Sequence, residues 1–402
     1  MDREEQMYYN KFKHIKFKRP FFTYFPCCTI YFERIDEVRY IKKSIFDNKN
    51  NTLQQPTNMK YSVLKKAFFF VLFVLSSQSS IAQHIALSKE AKASVLTCGT
   101  SNEIYALFGH TAIRITDNTN GIDLVYNYGA FDFSTSNFAL KFVKGNLHYF
   151  AVANSYTDFI TNYRYEKRSV YEQELNISAA QKQQLFDNLN QSLQLENREY
   201  TYKFIDQNCT SMAVDVLNRS LNQQLIVKKS DTNTTYRSIL FPYFNNHFYE
   251  QLGTSIIFGT KTDQLGTAIF LPFELQKSLN QIKINQHPIV KENKTVLEFE
   301  PEPNQSWWNN RYTYLLFLAL ILILNKSSID KIYLTITALL GIIFFFLGMY
   351  STHLELANNY NILLFNPSVV VLVFFANTNH KKGIQYTLWF NIAALVSYTL
   401  IV

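Results

Sequence analysis

At 402 residues the chain has room for about two domains and further segments, and its net charge of +8 is unevenly placed. Residues 1–58 contribute +4 and Lys60, Lys65 and Lys66 contribute +3, so residues 83–402 stand near +1. That balance argues against a basic nucleic-acid-binding face on the main domain.

In chain order, Met59-Lys60-Tyr61-Ser62-Val63-Leu64-Lys65-Lys66 is a basic head, and Ala67 to Leu75 is a short apolar run. Ser80-Ile81-Ala82 then supplies small residues for cleavage before Gln83. Residues 59–82 therefore read as a secretory signal peptide, too short to span a membrane comfortably. Residues 1–58 read as an extension upstream of the true start. Export leaves Cys98 and Cys209 where thiols can oxidise, and a Cys98–Cys209 disulfide is one expectation.

Residues 83–305 read as an exported α+β domain. Ala106 to Ile115 and Leu124 to Tyr128 pattern as strands. Between them, Asn120-Gly121 suggests a two-residue hairpin turn. Thr157 to Tyr171 looks helical. Ser178 to Leu195 is a clearer helix, because Ser178 and Gln181 form a capping box. Tyr200 to Ile205 alternates like a strand. Cys209 to Leu221 places Met212, Ala213, Val216 and Leu217 on one helical face, with Asn208 as its N-cap. Lys228–Tyr236 reads as a loop and Lys283–Glu302 as a strand-like linker.

Residues 306–402 read as a transmembrane domain with four helices: Tyr312–Leu324, Ile332–Tyr350, Asn361–Ala376 and Tyr386–Val402. Asn366-Pro367 interrupts the third. Lys326 and Lys331 lie in the first connection and Lys381 and Lys382 in the third, while Ser351–Tyr360 has no Lys or Arg. The positive-inside rule keeps connections one and three in the cytoplasm and places the second outside, with the soluble domain. The expected location is the cytoplasmic (inner) membrane, multi-pass, with the main domain periplasmic.

Two residues carry the chemistry. A cysteine opening a helix faces unpaired N–H groups and the positive end of the helix dipole, which favour thiolate over thiol. The same N–H groups can receive an oxyanion. Cys209 has that position, and His110, sharing a strand face with Ala112 and Arg114, is the candidate base. For the group that orients the imidazole, a two-residue turn makes paired positions sum to 241, so Arg114 faces Asn127. Asn127 then shares the face of His110. A slip of one residue brings Tyr126 and Tyr128 there instead, and Asp132 is another candidate. Arg164 and Arg168, in Tyr163-Arg164-Tyr165-Glu166-Lys167-Arg168, are candidates for a phosphate or lipid headgroup, against the reading of a solvated helix face. His353, Glu355 and Asn361 flank the exported connection, as headgroup ligands or as a plain polar loop. No His/Cys/Asp cluster has metal-ligand spacing, so no metal or other cofactor is expected.

These motifs resemble the Lnb N-terminal periplasmic domain family, also called DUF4105. The resemblance rests on Leu96-Thr97-Cys98-Gly99, Phe108-Gly109-His110-Thr111-Ala112-Ile113-Arg114, Val125-Tyr126-Asn127-Tyr128-Gly129-Ala130-Phe131-Asp132-Phe133, Tyr163-Arg164-Tyr165-Glu166, Arg168-Ser169-Val170, Asn208-Cys209 and Phe270-Leu271-Pro272. It covers roughly Ser88 to Lys277. It implies a permuted papain-like fold, related to NlpC/P60 enzymes, and lipoprotein N-acyltransferase activity. Phospholipid would be the acyl donor and a lipoprotein amino terminus the acceptor. It maps Cys209 to the nucleophile and His110 to the base; Asn208, next to Cys209, is a further substrate-binding candidate. The family commonly reads Asp-Asn-Cys-Ala-Thr-Arg where this chain has Gln207-Asn208-Cys209-Thr210-Ser211-Met212, a departure that bears on substrate preference. The competing expectations are a cysteine amidase or peptidase acting on cell-envelope peptide, and a non-catalytic membrane protein with the disulfide.

Overall fold

The computed structural model describes residues 85–300 and 306–402, so residues 59–82, read as a signal peptide, and the extension read before them lie outside the described residues. Nine strands are described: β1 (Lys92–Cys98), β2 (His110–Asp117), β3 (Ile122–Ala130), β4 (His148–Ser155), β5 (Val170–Leu175), β6 (Glu199–Thr201), β7 (Lys283–Ile284), β8 (His287–Pro288) and β9 (Val290–Leu297). Seven of them form one antiparallel sheet in the order β6-β4-β3-β2-β1-β5-β9. The helices of this part are α1 (Phe138–Lys144), α2 (Tyr156–Tyr165), α3 (Ala179–Gln191), α4 (Cys209–Leu221), α5 (Tyr236–Leu240), α6 (Phe248–Ile257) and α7 (Pro272–Leu279). The class is α+β, as the alternation of periodicities implied.

Central strands covered on both faces explain the runs of apolar and β-branched residues in β1 and β2. On one face Val95, Ile113, Ile115 and Tyr126 pack with Leu185 of α3, Leu217 of α4 and Leu275 of α7. On the other, Leu96, Cys98, Ala112 and Val125 pack with Phe159, Ile160 and Tyr163 of α2. The sheet edges are managed differently. β6 is only three residues long, and β9 exposes Lys291, Glu292 and Lys294. Both are ways of discouraging further strand pairing.

The sequence reading needs several corrections. Residues 106–109 are not strand: a 3-10 turn covers Ile104–Ala106 and β2 begins at His110. The β2–β3 connection is not a two-residue turn. A 3-10 turn spans Asn118–Asn120, and Gly121 closes it in the left-handed region. Asp117 stabilises this wider loop, accepting from Thr119 N at 3.2 Å and Asn120 Nδ2 at 2.7 Å. The helix expected over 157–171 stops at Tyr165, and Val170 and Tyr171 enter β5 beside β1, because pairing with a buried strand outweighs local periodicity. β6 ends at Thr201 rather than Ile205. The 283–302 segment contributes β9, which extends the main sheet beyond β5.

In the apolar region α8 (Arg311–Leu324), α9 (Ser327–Tyr350), α10 (Asn361–Leu364), α11 (Val369–Asn377) and α12 (Lys381–Ile401) follow. Among the described residues three segments are long and apolar enough to cross a membrane: Ser327–Tyr350, Leu354–Asn377 and Lys381–Ile401. The expected fourth, α8, has 14 residues. At 1.5 Å per residue it covers about 21 Å, short of the roughly 30 Å hydrocarbon core. Leu354–Asn377 is broken between α10 and α11 at Asn366-Pro367, where Pro has no N–H to continue the helix.

The connection 351–360 lies against the sheet domain. Thr352 N donates to Lys144 O at 2.8 Å, Gly259 N donates to Glu355 O at 2.7 Å, and Asn359 Nδ2 donates to Ile256 O and Ile257 O at 2.9 and 3.0 Å. This puts the connection without Lys or Arg against the soluble domain, the placement the charge pattern gave it with α8 counted as a span.

Candidate active site

α4 begins where the sequence placed it. Asn208 Oδ1 accepts from Thr210 N at 2.9 Å and Ser211 N at 3.0 Å, and Ser211 Oγ accepts from Asn208 N at 2.9 Å. The Asn208 amide donates to Phe204 O at 2.7 Å and Phe270 O at 2.9 Å. Its side chain is thus fully engaged in fixing the start of the helix, and it is not free for a substrate. The cap also consumes two of the N–H groups that the sequence offered to an oxyanion. Met212 N donates to Asn208 O. The Cys209 N–H is left as the first-turn donor.

Opposite α4, β2 carries His110. Thr111 Oγ1 and Thr210 Oγ1 lie 2.9 Å apart, both buried, tying the residue after His110 to the residue after Cys209. The hairpin register is Ala112↔Asn127, a sum of 239 rather than 241. The offset is two residues, the period of a pleated strand, so Asn127 keeps the face of His110 and comes diagonal to it. His110 Nε2 and Asn127 Oδ1 are 3.1 Å apart. Asn127 Nδ2 donates to Val125 O and Asn154 Oδ1, each at 3.2 Å, so its Oδ1 faces the imidazole and can only accept. Nε2 therefore carries a proton and Nδ1 is left for the sulfur.

Two glycines shape the backbone beside these residues. Gly109 has φ +80°, and a Cβ there would sit 2.5 Å from Cys98 O. Gly129 has φ +105°, and a Cβ there would lie 3.8 Å from Cys209 Cβ and 3.9 Å from Tyr200 Oη. Only glycine adopts such backbone freely; at Gly129, where a Cβ would meet both neighbours at ordinary contact distance, the conformation and not the space calls for glycine.

The Cys209 thiol is half-buried and titrates below an ordinary cysteine. Burial pushes it up, but the His110 charge, a hydrogen bond with His110 and the Thr111 backbone N–H together pull it further down. Cys98 is the opposite case. It is fully buried on the α2 face, and burial pushes its thiol up to about 12 against the Arg168 charge and a Tyr163 hydrogen bond. Both cysteines are free, so the Cys98–Cys209 disulfide is not formed.

The other expected residues do not gather here. Arg164 is exposed on α2. Arg168 is buried and internally paired: Nε donates to Gly99 O and Nη1 to Glu166 Oε2, each at 2.9 Å. Asp132 accepts from Ser134 N and Oγ of its own turn, and the hydroxyls of Tyr126 and Tyr128 donate to Asn190 and Ser192. His353 and Glu355 are buried in the connection between spans, where His353 Nε2 donates to Phe142 O at 2.9 Å. Asn361 Nδ2 donates to Ile256 O at 3.1 Å.

One residue was missed. Tyr200 Oη is buried without a hydrogen-bond partner, beside Cys209, and burial raises its pKa well above an ordinary tyrosine, so it stays a neutral donor. Its place in an alternating strand was readable, but nothing in the sequence pointed to its neighbour.

Family models match two stretches, residues 78–241 as the Lnb N-terminal periplasmic domain and residues 314–402 as the Lnb transmembrane domain. No curated protein matches the chain, and neither does any solved structure.

Proposed function

Because the chain belongs to the Lnb family through both its periplasmic and its transmembrane domain, we propose that it is a membrane-bound thiol acyltransferase. It would move an acyl chain from a phospholipid to an amine, such as a lipoprotein amino terminus. The observation that carries this reading is a thiol at a helix start with lowered pKa, next to an imidazole that Asn127 orients. A permuted papain-like arrangement is the fold this implies, with 83–305 as the catalytic domain and 306–402 as its anchor.

In the first half, His110 Nδ1 takes the Cys209 proton and the sulfur attacks the ester carbonyl. The carbonyl oxygen becomes an oxyanion, with the Cys209 N–H and the Tyr200 hydroxyl as its donors. The ester C–O bond breaks, His110 returns the proton to the departing alkoxide, and lysophospholipid leaves. In the second half, an amine attacks the thioester, a C–N bond forms, the C–S bond breaks, and His110 carries the amine proton back to sulfur. Of the residues first expected to hold substrate, exposed Arg164 keeps that role open, whereas Asn208 and Arg168 act through the framework.

The test is mass spectrometry of the trapped Cys209 adduct, with lipid analysis of cells carrying Cys209→Ala or His110→Ala. A fatty acyl adduct is expected. Cys209→Ala should abolish transfer, and His110→Ala should slow it by on the order of 10²–10⁴. A peptidyl adduct would instead establish a cysteine amidase, and undiminished transfer by Cys209→Ala would end the nucleophile assignment.

A further inference from the structure

A cavity of about 210 Å³ opens on the α3–α4 side of the sheet, lined among others by Gln191, Asn197, Arg198, Tyr200, Met212 and Arg219. It begins beside the candidate nucleophile. Tyr200 and Met212 both line it; Tyr200 feels the Cys209 charge, and Met212 lies three residues along α4 from Cys209.

The lining carries two guanidinium groups and no carboxylate. Neither Arg198 nor Arg219 is in an ion pair among the described residues. Arg198 spends Nε on Ala151 O at 3.2 Å, and its guanidinium lies 4.7 Å from the Phe150 ring centre. Asp215, one turn before Arg219, is the nearby acid on α4, but it does not line the cavity. Two cations facing polar amides and a tyrosine are suited to an anion with several acceptor oxygens.

Geometry selects the anion. In a glycerophospholipid the phosphorus is about five covalent bonds from the carbonyl carbon of the middle ester and about six from that of the terminal one, a reach of roughly 5–8 Å at about 1.5 Å per bond. One turn of α4 advances about 5.4 Å. A phosphate at that reach from an ester carbonyl at Cys209 can therefore lie beside Met212. The Arg219 side chain, leaning toward the helix start as helical side chains do, can meet it there.

We propose that this cavity binds the phosphate of the donor phospholipid, with Arg198 and Arg219 as its cationic ligands. The assignment rests on the acyl-transfer reading, but its test needs no acyl transfer. An ether-linked short-chain glycerophospholipid cannot be cleaved, so its binding can be read as protection of Cys209 from alkylation in the full-length protein.

The phosphate-bearing ether lipid should protect wild type, and Arg198→Gln and Arg219→Gln should each raise the concentration needed by about tenfold. The matching dialkylglycerol, which lacks phosphate, should protect wild type and both variants equally, which also reports that the variants are folded. Unchanged protection in the double variant, or no advantage of the phosphate-bearing lipid in wild type, would overturn the proposal. Protection by inorganic phosphate as strong as by the lipid would assign the cavity to a free anion, against a headgroup.

Discussion

The two free cysteines of the sheet domain show how little residue type decides. Cys98 lies in an apolar layer with its thiol pushed up to about 12, while Cys209 is drawn below the ordinary value. An alkylating reagent at neutral pH should therefore modify Cys209 and leave Cys98 intact, since thiolate is the reacting form. The rate at Cys209 should rise with pH through a midpoint below that of a free thiol. Replacing His110 by Ala removes the charge and the hydrogen bond, leaving burial dominant, so the midpoint should move upward. Asn127→Ala should move it in the same direction by less, because the imidazole remains but loses its tether. A midpoint unmoved by His110→Ala would show that the imidazole does not act on the sulfur.

At the scale of an element, α4 depends on Asn208 more than an ordinary cap would require. Loss of an N-cap costs about 0.5–2 kcal/mol. Asn208→Ala also strands Phe204 O and Phe270 O, which its amide serves within the structure. The substitution should lower the thermal midpoint by an amount at or above the top of the capping range, and should slow alkylation of Cys209 by loosening the helix start. Asn208→Asp keeps the acceptor for the two N–H groups but loses both donors, so it should fall between Ala and wild type. A melting curve unchanged by Asn208→Ala would remove the pinning role. The capping box of α3 and the cap of α4 were legible in sequence because each is local, set by residues within three positions. The length of α2 was not, since its end is decided by β5 pairing with β1.

Across the whole molecule, the membrane segments and the sheet domain are joined through the connection 351–360. Its backbone and the amides of Asn359 and Asn361 are bonded to Lys144, to Gly259 and to the end of α6. Partly buried carbonyls at that helix end are satisfied by these amides. Asn359→Ala should release the connection, seen as faster backbone hydrogen exchange over 255–260 and 352–360, with the sheet core unaffected. If exchange there is unchanged, the connection is not held by this amide.

Periodicity and composition determined the exported α+β domain, the apolar C-terminal region, the helix that starts at Cys209 and its cap, because each depends on neighbours within a few residues. They also offered the pairing of His110 with Asn127, since a two-residue error in register leaves a strand's faces unchanged. Only the tertiary structure decided that Cys98 and Cys209 join different core clusters and stay unbonded, that Arg168 is consumed internally and that Tyr200 is brought beside Cys209. Those outcomes depend on which strands lie next to one another in space, and contacts between distant segments leave no periodic trace in the chain.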